Sequence, residues 1–267
     1  MASFVTDNNN IPSKQDYFRI SIPTLLKILT GLPLVGASVC VILSLLFDFA
    51  SSTATHCKVP NYLPSISSAI GGYTPQRYIW RICIALHCAP RFLLALGYFN
   101  YHTSVDMRQY NSVYTGLAAL ATTLHICENM ALVALTYVSS SENIEFHENA
   151  FIAFMVFSLT YMLLTCILFS WGRTGNGRKI TPVERKSLNL KATLFIFNLF
   201  IFLFAVYLYF RHHDYCEPGV YTGFAACEYL TVISNIAFHG TVSLDWKDYT
   251  LMLSHNDFVD KLQGKSD

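Results

Sequence analysis

The chain has 267 residues, of which 53% are hydrophobic and 13% charged, with a formal net charge of +1. A soluble domain carries about 25% charged residues, so the composition excludes an ordinary soluble enzyme and indicates an integral membrane protein with little mass outside the bilayer. The near-neutral balance gives no electrostatic argument for a nucleic-acid partner, and none is expected.

Residues 1–16 are polar and read as disordered, within a cytosolic N-terminal tail of residues 1–23. The first apolar run, 24–47, spans about 24 residues, longer than the roughly 7–15 of a signal-peptide core, and reads as a membrane span kinked by Gly31, Pro33 and Gly36. Further runs at 78–101, 112–138, 149–171, 191–210 and 220–244 each approach the roughly 20 apolar residues that a crossing needs. Tyr78, Trp80, Tyr137, Trp171, Tyr207, Tyr209 and Trp246 flank their ends as interfacial aromatics do. The expected fold class is therefore all-α: a polytopic membrane protein with six transmembrane helices over 24–244 and a cytosolic tail at 245–267, whose last residues, 254–267, also read as disordered.

Loop charges orient the bundle. The loop from Gly172 to Lys191 holds Arg173, Arg178, Lys179, Arg185, Lys186 and Lys191 against one acid, Glu184, whereas Ser139–Glu148 holds Glu142, Glu145 and Glu148 and no Lys or Arg. The positive-inside rule makes the first loop cytosolic, which places both termini in the cytosol. Loops 48–77 and 211–219 then face the lumen. The stretch Val59–Pro64 followed by Ser65–Gly72 is too apolar for a solvated loop and is expected to fold back on the membrane surface. Of the eight cysteines, only Cys57 and Cys216 lie outside the spans. Both fall in lumenal loops, where disulfides persist, so a Cys57–Cys216 bridge is predicted.

Several spans carry side chains that lipid rejects. A lone charge at the bilayer centre costs roughly 2.5–3.5 kcal/mol on insertion scales, so charges there must pair. Arg81, His87 and Arg91 lie in the second span, His125, Glu128 and Asn129 in the third, and Glu228, Asn235 and His239 in the sixth. His87 and Arg91 share a helix face at i, i+4; His125 shares one with Glu128 and Asn129 at i+3 and i+4. By helical rise, His87, Glu128 and Glu228 sit about 12–14 Å from the lumenal ends of their spans. Polar stripes turn inward, so these groups are expected either to neutralise one another as helix-bridging pairs or to line a pocket wetted from the lumen.

Such a pocket supports acyl transfer. His87 or His125, oriented by Glu128 or Glu228, would serve as general base. Arg91, with Asn129, Asn235 and Arg81, would hold a phosphate or a developing oxyanion. No G-x-S-x-G elbow is present, so attack would be direct. A zinc centre of His87, His125, His239 and Glu128 is disfavoured because His239 falls near the cytosolic end of its span; no metal is expected. A proton-coupled transporter is disfavoured for want of an inverted repeat. His147, His212 and His213 read as solvated loop histidines.

Thr53–Cys57, Val59–Ser65, Ser67–Gly72, Pro75–Tyr78, Ala89-Pro-Arg-Phe92, Glu128-Asn129, Leu135–Glu142, His147–Ile152 and Tyr209–His212 carry a further signal. Over residues 40–240 the chain closely resembles the Frag/DRAM-like family of GPI-anchor lipid-remodelling proteins. The first span, the loop 102–112, the cytosolic loop and both tails diverge from it. The resemblance implies a Golgi or ER membrane protein that restores a saturated acyl chain at sn-2 of lyso-GPI-anchored proteins. Membrane lipids, the lyso-GPI proteins and another remodelling enzyme are the implied partners. No cofactor is implied beyond an acyl donor, phospholipid or acyl-CoA. Whether such a chain is the acyltransferase or a non-catalytic scaffold for the step stays open, with a metal-dependent lipid hydrolase as a third alternative.

Overall fold

The computed structural model describes residues 2–6 and 16–254. In chain order the helices are α1 (Ile22–Phe47), α2 (Phe49–Ser52), α3 (Ile66–Gly71), α4 (Gln76–Thr103), α5 (Asn111–Tyr137), α6 (Ile144–Thr174), α7 (Pro182–Tyr215), α8 (Val220–Gly240) and α9 (Val242–Asp245). The six long helices run sequentially, α1 against α4, α4 against α5, α5 against α6, α6 against α7 and α7 against α8, and α8 packs back on α1 to close the ring. From α4 onward short connections make sequential neighbours antiparallel.

Five of these helices, α1, α4, α5, α6 and α7, are long and apolar enough to cross a membrane, so the chain is a multi-pass membrane protein. α8 has 21 residues, about 31 Å of helical rise, but Glu228, Asn235 and His239 dilute its apolarity. The outer faces are greasy: Ile42 and Leu46 on α1, and Phe200, Leu203 and Phe204 on α7, are exposed. Outward apolar side chains on helices of this length suit contact with lipid. Inside, α1 and α4 approach closely at Gly36, where any Cβ would meet the Cβ of Cys83 at 3.0 Å.

The two ends of the bundle differ. At one end β1 (Ala2–Thr6), β2 (Asp16–Ser21) and β3 (Tyr249–Ser254) form an antiparallel sheet in the order β1-β3-β2. This corrects the expectation of disorder at residues 2–6, 16 and 254; residues 1, 7–15 and 255–267 lie outside the described residues. The signal was present in Tyr249-Thr-Leu-Met-Leu-Ser254, where Tyr249 and Leu251 alternate onto the core cluster of Leu26, Tyr98 and Trp246. Lys191 also departs from expectation. A capping box of Thr181 and Glu184 starts α7 at Pro182, so Lys191 is a helical residue, 1% exposed, with Nζ 2.6 Å from Asp245 Oδ2 and 2.6 Å from Ser187 Oγ.

At the opposite end the segment before α4 folds back over the helices, as its apolar character predicts, and forms α3. Ser65 caps α3, Ser44 Oγ donates to the Ala69 carbonyl at 2.9 Å, and Ser68 Oγ donates to the Ser52 carbonyl at 2.7 Å. Cys57 and Cys216 are disulfide-bonded across 159 residues of sequence, as predicted, tying this layer to the α7–α8 corner.

A cross-link over so long a loop restricts the unfolded chain, and removing one typically costs about 2–4 kcal/mol. Cys57→Ser and Cys216→Ser are each expected to lower thermal stability in detergent by the same amount, and the double variant by no more than either. Additive losses would show that the two cysteines act separately.

Candidate functional site

A buried polar node occupies the middle of the bundle. Pro33 in α1 has no N–H to give the carbonyl of Leu29 four residues earlier. That freed carbonyl lies 2.7 Å from Nδ1 of His87 on α4. A carbonyl only accepts, so Nδ1 carries the proton and His87 Nε2 is an acceptor. Arg91, one turn on, donates to it from Nη1 at 3.3 Å.

Arg91 Nη2 lies 3.3 Å from Oε2 of Glu128 on α5, with side-chain exposures of 3% and 0%. That contact is an ion pair by distance but lacks hydrogen-bond alignment, which leaves Glu128 Oε2 without a directed donor. The other oxygen, Oε1, accepts from Asn235 Nδ2 at 3.2 Å and faces His239 Nε2 at 2.9 Å. Asn235 also reaches Ser158 Oγ on α6 at 2.6 Å.

His239 Nε2 is contested. It also stands 2.8 Å from Arg91 Nη2. The guanidinium only donates and the carboxylate only accepts, so this nitrogen serves one or the other: protonated, it donates to Glu128; bare, it accepts from Arg91. His125 completes the node: its ring centroid lies 4.6 Å from that of Tyr161 and 5.0 Å from that of His239, which are 5.5 Å from each other, so the three rings form a triangle. Among the described residues neither of its ring nitrogens has a hydrogen-bond partner.

Beside the node lies a cavity of about 20 Å³, walled by Leu26, Leu29, Thr30, His87, Arg91, Leu94, Tyr98, His125, Tyr161, His239 and Val242, room for about one water. Its walls include the first turns of α1, so it runs toward the sheet end. The sequence expectation put access at the other end. Tyr98 joins this cavity to the second buried ion pair, because its hydroxyl donates to Asp245 Oδ2.

Of the candidate residues, the structure gathers His87, Arg91, His125, Glu128 and Asn235. Glu228 sits apart: it accepts from the Ile66 backbone N–H at 2.9 Å and so caps α3. Depths counted from a common lumenal plane fail here because α8 begins inside the loop layer. Gly219 N bonds the Pro60 carbonyl at 3.1 Å and Thr222 Oγ1 accepts from Tyr62 N at 3.0 Å. The same offset carries His239, set aside in sequence as too distant, into the centre of the node. Asn129 also leaves the node, donating to the Cys88 carbonyl at 2.9 Å. Arg81 lies at the disulfide end, 2.8 Å from the Tyr137 carbonyl and 2.7 Å from Glu142 Oε2. Sequence reasoning missed Ser158, Tyr161 and the Leu29 carbonyl; Pro33 was the available sign of the last.

His125, Glu128 and His239 offer ligand atoms within 4.8 Å of one another. One feature opposes a metal there: Arg91 Nη2 already stands 2.8 Å from the His239 nitrogen that faces Glu128. A second grouping, His56, Cys57 and His212, loses its sulfur ligand to the disulfide.

Residues 23–249 match the Frag1/DRAM/Sfk1/Cwh43P N-terminal domain. The chain belongs to that family. It is 49% identical to a Xenopus tropicalis protein named acyltransferase PGAP2, over 84% of this chain and 86% of the other. It is 42% identical to a Caenorhabditis elegans protein named post-GPI attachment to proteins factor 2, over 84% and 85%. A Schizosaccharomyces pombe protein named cwh43 is 26% identical over 70% of this chain and 17% of its own length. No solved structure matches the chain.

Removing one partner of a buried ion pair strands the other and costs about 3–5 kcal/mol, whereas apolar replacement of both is often neutral. Arg91→Met and Glu128→Leu are each expected to lower the unfolding temperature more than the double variant does, which a double-mutant cycle in detergent measures. At the disulfide end, Glu142 accepts from the Ser139 backbone N–H at 2.9 Å, the Ser139 hydroxyl at 2.9 Å and Arg81 at 2.7 Å. These bonds, Ser139's first, hold its carboxyl down to about 2 from 4.5. A depressed carboxyl stabilises fully above its unfolded value and loses that contribution as pH falls through the folded one. The stability gap between wild type and Glu142→Gln is therefore expected to stay constant above about pH 4.5 and to close toward pH 2, read by thermal scans across that range.

Proposed function

We propose that this chain remodels GPI anchors by acyl transfer, reacylating lyso-GPI-anchored proteins at sn-2 with a saturated chain. The names of its relatives support the GPI step and, in two cases, acyl transfer. The buried node around Glu128 is the single observation that carries a chemical site. In this reading six helices cross a Golgi or ER membrane, both termini are cytosolic, and the disulfide end faces the lumen, whose leaflet holds GPI anchors.

Among the histidines the geometry favours His125 as base. His87 Nε2 is held by Arg91, whereas both ring nitrogens of His125, a wall residue of the cavity, lack a hydrogen-bond partner among the described residues. An acceptor hydroxyl brought there would lose its proton to His125 as it attacks the donor ester. Arg91 would hold the phosphate or the developing oxyanion, and His239 would pass its proton between two hydrogen-bonding states. A phospholipid donor already shares the lipid phase, while acyl-CoA is cytosolic.

A second reading, a non-catalytic protein that holds lyso-GPI for another enzyme, is favoured by one observation. Arg91, Glu128, His239 and Asn235 largely satisfy one another, as helix-bridging groups do. A metal-dependent hydrolase is the weakest, for the reasons of geometry above; elemental analysis of purified protein is expected to show no stoichiometric zinc.

The deciding measurement uses purified chain in nanodiscs with a phospholipid carrying a labelled saturated acyl chain and a lyso-GPI protein. Label is expected on the GPI protein. Its absence, with the chain folded and its disulfide intact, assigns the protein to the scaffold reading. A base of this kind contributes roughly 10²–10⁴-fold, so His125→Ala is expected to slow transfer by at least about 100-fold.

A further inference from the structure

A second set of reactive side chains lies at the disulfide end, away from the node. Ser67 in α3 has Oγ 3.0 Å from Nε2 of His147, in the first turns of α6. The other ring nitrogen, Nδ1, stands 2.9 Å from the Val138 carbonyl. Because a carbonyl accepts and never donates, Nδ1 carries the proton. Nε2 is therefore a lone pair, and the Ser67 hydroxyl must be the donor. A hydroxyl donating to an imidazole whose far nitrogen is fixed by a third group is the arrangement that activates a serine nucleophile.

Both partners are firmly held. His147 is buried, 5% exposed, and Asn143 caps its helix. α3 is pinned by Ser44, Ser68 and the carboxylate of Glu228, and Ser141 Oγ donates to the Gly71 carbonyl at 3.1 Å. Ser67 itself is part-exposed. Ile144 and Phe146, flanking His147, are 55% and 46% exposed, so the pair sits in a greasy surface layer rather than in open water. The sequence carries no nucleophile elbow; the tertiary fold supplies the pair from segments 80 residues apart.

We propose that Ser67 and His147 form a second catalytic site, a serine–histidine dyad that takes the acyl chain from a glycerophospholipid ester as a covalent acyl-serine. Ser67 Oγ attacks the ester carbonyl as its proton passes to His147 Nε2. The new Oγ–acyl bond forms, the bond from carbonyl carbon to glycerol oxygen breaks, and the proton on Nε2 goes to the departing lysophospholipid oxygen. In the second half a lyso-lipid hydroxyl, or water, attacks the acyl-serine, gives its proton to Nε2, and Ser67 recovers it on release. No cofactor or redox partner is consumed. The acceptor half rests on the acyl-transfer function proposed above. The donor half does not need it, and it is an alternative to direct attack at the node.

The test separates the two. Full-length chain in nanodiscs is incubated with a phosphatidylcholine bearing a deuterated palmitoyl group and no acceptor, quenched in acid, and digested for mass spectrometry. A deuterated palmitoyl adduct on the peptide holding Ser67 is expected. Ser67→Ala should abolish it, and His147→Ala should slow its formation by at least about 100-fold, the general-base contribution. Ser67→Cys should carry the chain as a thioester released by neutral hydroxylamine. Monodisperse elution and an intact Cys57–Cys216 bridge report folding of each variant. No adduct on folded wild-type protein, under conditions in which label reaches lyso-GPI, overturns the dyad and leaves the proposed function standing. No transfer to lyso-GPI overturns the function instead. Equal adduct in wild type and His147→Ala would show that His147 only braces α3, and would also overturn the dyad.

Discussion

Everything in the bundle centre follows from placing the Arg91 and Glu128 charges where water does not reach. Two ions removed from water lose several kcal/mol each, and their mutual attraction offsets this only with good geometry and further hydrogen bonds. Each neighbour supplies part of that. Asn235 donates to one carboxylate oxygen, His239 faces the same oxygen, and His87 accepts from the guanidinium. His87 can accept only because the Leu29 carbonyl fixes its other nitrogen, and that carbonyl is available only because residue 33 is proline. Four helices are thereby held in one register by a chain of single-purpose contacts. α1, α4, α5 and α8 cannot slide without breaking a link.

The bundle was legible in the sequence because lipid imposes its period on the chain: about 20 apolar residues, then charge. Cys57 and Cys216 were legible for a related reason, since they alone stand outside the apolar runs. The node was legible in kind and partly in membership, because charges in lipid must find one another. What failed was depth. Counting rise along a helix assumes that all helices start in one plane, and α8 starts inside a folded loop layer. That offset exchanged Glu228 for His239. A loop's tertiary structure is not written in helical periodicity, and neither was the pairing of chain ends into the sheet, although Tyr249–Ser254 alternates as a strand does.

The cavity beside the node links two buried ion pairs. Tyr98 lines it and donates its hydroxyl to Asp245, which also pairs with Lys191. Trp246 and Tyr249 stack nearby and lead directly into β3. Order in the C-terminal strand is therefore continuous, contact by contact, with order around His239, six residues before α9 ends. A disturbance at Asp245 would reach the cavity wall through Tyr98 before it reached the helices. The polar centre is thus not isolated from the sheet end.

The node and the Ser67–His147 dyad suit different chemistry. The node is dense in charge and largely mutually paired; the Nε2 proton of His239 can go only to Glu128, because the Arg91 guanidinium only donates, and a reacting ester would have to enter a space of about 20 Å³. Acyl chains and glycerol backbones are far larger than one water, so catalysis there requires the helices to part and two buried charges to lose partners. The dyad lies in an apolar surface layer and keeps its imidazole aligned by the Val138 carbonyl rather than by an ion. Attack on a lipid ester at that level needs no buried charge to move. Burial that makes the node a strong helix clamp also makes it a hard place to deliver substrate, and the exposure that would weaken a clamp is what an interfacial nucleophile requires.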